Sequence, residues 1–160
     1  VKVLKSGGDE VAFTLQYEFD TPLGKVAESK TISLGLGEQL FRVNSIFTLN
    51  GSPASLPIAV GVATHDEKAS VSFNIATGRI SALETIDGLG VGTGALVEPS
   101  IVTDIKHLPS DNKDESHIWL FTNSDSEGKL SYRAGFAWQA AGDITTANEW
   151  QQYLDSLASK

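Results

Sequence analysis

Few residues of this chain can move a proton or grip a charge near neutral pH. Three histidines are present, His65, His107 and His117, too far apart in sequence for a local metal motif such as H-E-x-x-H. His65 stands out. It closes the apolar run 56–64, and its alternate neighbours are Ala59, Gly61 and Ala63. Small residues beside an imidazole leave a floor for a flat ring such as a sugar, and imidazole is the usual proton carrier at neutral pH. The same small face would equally suit tight packing of a second sheet.

Arg42 and Asn44 sit two apart, on the polar side of a run whose other side is Phe41, Val43, Ser45 and Phe47. Arginine offers a planar fork for a carboxylate, and asparagine both donates and accepts toward hydroxyls. A solvated outer face accounts for the pair as well. Glu28 and Lys30 share one face of the preceding strand, where an exposed ion pair is the simplest expectation. Tyr132, Phe136 and Trp138 alternate along a later strand with Arg133 opposite. Aromatic rings stack on pyranose C–H faces, though such stripes are more often core. Tyr132, at the polar start of its strand, is expected to keep its hydroxyl free.

Other chemistry is excluded or unsupported. There is no cysteine, so disulfides, thiolate metal sites and thiol nucleophiles are absent. G-x-S-x-G is missing, and a glycosidase carboxylate pair would meet only in three dimensions. Gly88, Gly90, Gly92 and Gly94 alternate, but the spacing is not G-x-G-x-x-G and no helical pattern follows. They read as a strand stripped of side chains on one face, admitting either another backbone or a ligand. No metal and no cofactor are expected.

The elements that must position these residues are mostly strands. Period-two alternation runs through 11–19, 26–34 and 39–49, and residues 56–64 form a continuous apolar run. Further strands are expected at 69–75, 80–86, 89–97, 101–106, 116–121 and 130–138. Turn clusters fall at Thr21-Pro22-Leu23-Gly24 and Asn50-Gly51-Ser52-Pro53, and 109–115 reads as an exposed loop. One helix is expected at the end of the chain. Thr146 and Glu149 fit a capping box, and Trp150, Tyr153, Leu154 and Leu157 form one apolar stripe that should dock on a sheet. The pattern gives an all-β, mainly antiparallel sandwich with one C-terminal helix.

With 160 residues, 41% of them hydrophobic, the chain suits a single globular domain spanning 1–160. A net charge of −8 with scattered basic residues argues against a nucleic-acid partner. No apolar run reaches the roughly 18 residues of a membrane span. The chain opens at Val1 and contains no methionine, which reads as part of a longer protein.

Several segments are familiar in combination. They are Lys30-Thr31-Ile32-Ser33-Leu34 with Gly37-Glu38-Gln39-Leu40-Phe41-Arg42-Val43-Asn44-Ser45, and Ala59-Val60-Gly61-Val62-Ala63-Thr64-His65. Near the end come Ser131-Tyr132-Arg133-Ala134-Gly135-Phe136-Ala137-Trp138, Ala141-Gly142-Asp143 and the helix bearing Trp150. Together they resemble a bacterial domain-of-unknown-function family of polysaccharide-utilisation clusters, similar to an ulvan-oligosaccharide dehydratase. The resemblance implies a galactose-mutarotase-like supersandwich, of which this chain would be the C-terminal portion, partnered by the missing N-terminal part. It implies a periplasmic or secreted protein acting on uronic-acid-containing oligosaccharides, with lyase- or dehydratase-type elimination as one activity.

Elimination beside a carboxylate needs a base, an acid and a cation. Within the resembling segments, His65, Tyr132 and Arg42 are the residue types for those three jobs. Asn44, Lys30 and Trp138 are the expected substrate-binding residues. A non-catalytic carbohydrate-binding module and a structural half-domain completing a larger sandwich are the alternatives.

Overall fold

The computed structural model describes residues 1–112, 115–142 and 144–158. Asp143 and part of the expected 109–115 loop lie outside them. The strands in chain order are β1 (Lys2–Lys5), β2 (Glu10–Thr21), β3 (Gly24–Gly35), β4 (Leu40–Leu49), β5 (Ser52–Pro53) and β6 (Pro57–Ala63). They continue with β7 (Ser70–Asn74), β8 (Arg79–Ile86), β9 (Leu89–Val97), β10 (Val102–Leu108), β11 (His117–Asn123) and β12 (Lys129–Trp138). The one α-helix among the described residues, α1 (Ala147–Ala158), closes the described chain. The fold is an all-β sandwich, built from antiparallel ladders with one C-terminal helix.

The chain forms two compact units, Val1–Ile58 with Asn123–Arg133, and Ala59–Thr122 with Ala134–Lys160. In the first unit the order is β1-β2-β3-β4 followed by the start of β12, with β5 on β4. A two-residue turn joins β4 to β5, where Asn50 and Gly51 both adopt positive φ (51° and 84°) between Leu49 and its partner Ser52. Such mirror-image turns match the twist of a hairpin and favour Asn-Gly. The first unit's core gathers Val26, Phe47, Leu56 and Leu130, with Tyr132, Leu49, Ala54 and Ile58 packed against them.

In the second unit, the end of β12 pairs with β9, then β8, then β7, and β10-β11-β6 form a separate three-stranded sheet. Ile80, Ala82 and Ala95 on the larger sheet and Ile118 and Leu120 on the smaller are buried. α1 begins with the expected box: the Glu149 amide donates to Thr146 Oγ1 at 3.2 Å, and the Thr146 amide donates to Glu149 Oε2 at 2.9 Å. Its apolar stripe seats on the glycine face of β9. Trp150 is 1% exposed and Leu154 0%, each worth roughly 1.5–3 kcal/mol of burial. Of the alternating glycines, Gly92 and Gly94 therefore make room for the helix.

Two expectations change. His65 does not continue the alternation of β6. Its φ is +46°, a left-handed conformation that ends the strand and turns the side chain away from Ala59, Gly61 and Ala63. That small face is flanked instead by the neighbouring strand's Trp119, whose ring occupies the space that a Cβ at Gly61 would take. The Glu28–Lys30 pair is also not exposed: the side chains retain only 8% and 24% of their accessible area.

Candidate functional site

The second unit brings an imidazole and a carboxylate together. On β8, Ile80, Ala82, Glu84 and Ile86 alternate on the face opposite α1, because Ser81 and Leu83 pair with Gly94 and Gly92 beneath the helix. Glu84 is the charged member of that face. Its carboxylate lies 2.9 Å from His65 Nδ1, and the imidazole remains 41% exposed while the Glu84 side chain is 11% exposed. A carboxylate only accepts, so it fixes Nδ1 as the protonated nitrogen and leaves the Nε2 lone pair as the basic atom.

The same face holds an aromatic edge. The Gln139 amide donates to the Gly90 carbonyl at 2.8 Å, which sets Trp138 beside Val91, and Val91 is registered to Glu84. Trp138 and Glu84 are thus two strand spacings apart, roughly 10 Å. Trp138 is 46% exposed and Phe136 61% exposed. These two rings are surface, not core.

The first unit carries a second polar group, built across the neighbouring strands β3 and β4. Glu28, on β3, accepts from the buried Ser45 hydroxyl of β4 at 2.6 Å and pairs with Lys30 at 3.4 Å. The Lys30 ammonium lies 5.5 Å from the centre of the Tyr17 ring. Burial holds the Tyr132 phenol above its ordinary value, and the nearby Lys30 ammonium offsets this only in part. Tyr132 is therefore a proton donor rather than a base at neutral pH.

The family model for a domain of unknown function, DUF4861, matches residues 1–160. The chain belongs to this family. No curated protein and no solved structure matches it.

The DUF4861 chain sorts the sequence-derived residues into three groups. His65 and Trp138 lie on one face of the second unit's sheet. Lys30 and Tyr132 come together in the first unit. Arg42 and Asn44 occupy the opposite face of that first sheet, because Lys30 is registered to Ser45 and Asn44 to Thr31. There Arg42 pairs with Glu38, and Asn44 Oδ1 accepts from the Ser131 hydroxyl at 2.7 Å. Arg42 is not beside Tyr132; Lys30 is.

The site residues that sequence pattern misses in this DUF4861 chain are Glu84 and Glu28. Glu84 has a readable signal, as a carboxylate interrupting an otherwise apolar strand face between Ala82 and Ile86, whereas Glu28 shares its face with Lys30 and reads simply as half of an ion pair. Among the described residues, no three His, Asp or Glu side chains converge as a metal-binding group, and no helix is long and apolar enough to cross a membrane.

Proposed function

We propose that this domain acts outside the cytoplasm on uronic-acid-containing oligosaccharides, by lyase- or dehydratase-type elimination. The observation that carries the reading is the half-exposed His65 held by Glu84 on a face that also presents Trp138. The base removes the proton next to the sugar carboxylate. The released electron pair forms a carbon–carbon double bond as the oxygen substituent on the adjacent carbon leaves and takes up a proton. His65 Nε2 suits the first task, since Glu84 can stabilise the imidazolium that results. Trp138 and Phe136 suit the stacking of pyranose rings. In the first unit, Lys30 and the protonated Tyr132 suit recognition of carboxylate and hydroxyl groups. The uronic-acid class comes from the resembling segments.

The test is a panel of uronic-acid oligosaccharides, read by the ultraviolet absorbance of a new unsaturated uronate. Product from the wild type, its loss in His65→Ala and a raised KM in Trp138→Ala are expected. Full turnover in His65→Ala would overturn the assignment. A second reading, a carbohydrate-binding module, is favoured by the exposure of Phe136 and Trp138 alone. Saccharide binding that requires Trp138, with no unsaturated product, would select it.

A further inference from the structure

The segment that carries His65 is fastened by a polar cluster that no step above uses. The Glu67 amide donates to the Thr64 carbonyl at 3.0 Å, closing a turn in which His65 is the second residue. His65 and Glu67 both adopt left-handed backbone conformations, φ +46° and +61°. Side chains other than glycine hold that region only where their surroundings impose it. What imposes it is visible. The Thr64 hydroxyl donates to Glu67 Oε1 at 2.6 Å, the Ser116 hydroxyl donates to the same oxygen, and His107 Nε2 lies 2.8 Å from Oε2. Thr64 and Ser116 are both fully buried, and the Thr64 amide donates to the Ser116 carbonyl at 2.9 Å.

A Ser, a His and a carboxylate in one cluster invite comparison with a nucleophilic triad. The connectivity rules it out: the Ser116 hydroxyl donates to Glu67, so the imidazole is not its base.

We infer that Glu67 is a positioning residue for His65: by tying the turn to the buried hydroxyls of Thr64 and Ser116 and to His107, it sets the left-handed backbone that aims His65 at Glu84. The inference rests on the proposed role of His65, but it concerns an arrangement that exists without substrate. The other charged groups of this turn, Asp66 and Lys68, pair with each other at 2.7 Å and leave Glu67 to the cluster.

The test reads His65 directly, by the ring carbon-bound proton resonances assigned in nuclear magnetic resonance spectra of the free protein. Glu84→Gln defines where those resonances move when the carboxylate is lost. Glu67→Ala is expected to move them the same way, by at least half as far. Ser116→Ala, a milder change, is expected to give a smaller shift in the same direction and serves alone if Glu67→Ala fails to fold. His65 resonances left at their wild-type positions in a folded Glu67→Ala or Ser116→Ala protein would overturn the inference. So would their failure to respond to Glu84→Gln, since there would then be no aim to set. Lack of turnover on every saccharide would defeat the functional reading and leave these outcomes intact.

Discussion

Trp150 lies against Gly92, where a Cβ would sit 3.0 Å from the indole Cδ1, and its Nε1 donates to the Thr93 carbonyl at 2.9 Å. The helix is thereby hydrogen-bonded to the strand whose missing side chains admit it. One turn along, a Cβ at Gly94 would lie 2.8 Å from Leu154 Cδ1 and 3.2 Å from the Ile80 carbonyl oxygen. Leu154 can shift, but the Ile80 backbone cannot. Gly94→Ala is expected to cost about 1–3 kcal/mol by overpacking, measured by equilibrium urea unfolding. A variant as stable as the wild type would show that the helix does not press on this strand.

Arg79 holds the same helix from β8. Its Nε donates to Asp155 Oδ1 at 2.8 Å, its Nη1 donates to Ser81 Oγ at 2.9 Å, and its side chain is only 5% exposed. Asp155→Ala would leave the guanidinium buried without its anion. A fully buried pair broken this way costs about 3–5 kcal/mol; Asp155 is 37% exposed, so about 2 kcal/mol is expected. Denaturation midpoints check the size, and a double Arg79→Met, Asp155→Leu variant should be less impaired than Asp155→Ala alone.

Acid should loosen the turn at residues 64–67. Hydrogen bonds from Ser116 and Thr64, and then the charge of His107, hold the Glu67 carboxyl below its ordinary value of 4.5. The folded state thus binds this proton more weakly than the unfolded chain does. Stability from Glu67 is full above about pH 4.5 and is lost as pH falls through the folded value. The Tm difference between wild type and Glu67→Gln is expected to be largest at neutral pH and to close on acidification. A difference that widens below pH 4.5 would reverse the assigned sign.

Tyr132 gives an independent reading of the first unit. Its phenol should ionise above the ordinary 10.0, because burial outweighs the Lys30 ammonium. Phenolate absorbance, taken as wild type minus Tyr132→Phe, measures it. Lys30→Met removes the opposing cation, so the midpoint should rise further. A downward move would mean that the ammonium does not face this hydroxyl.

Local rules determined much of this protein by themselves. Alternation located the long strands because each buries one face, and residues 26–34 and 89–97 reappear within β3 and as β9. The Thr146–Glu149 box and the apolar stripe located the helix, since caps and the 3.6-residue period act within a few residues. β1 and β5 carry too few residues to show a period, and pairing alone makes them strands. At the candidate site, His65 and Trp138 were legible as residue types with suitable chemistry. Their partners were not: Glu84 meets His65 across 19 positions, through a left-handed turn that no periodicity announces. Ser116 reaches Glu67 across 49 positions. The occupant of the glycine face of β9 was undecided for the same reason, since a bare strand accepts a helix or a ligand alike. Sequence fixes what each residue can do and which side of its strand it takes; only the tertiary structure decides what stands opposite, because register and turn geometry bring distant positions within hydrogen-bonding distance.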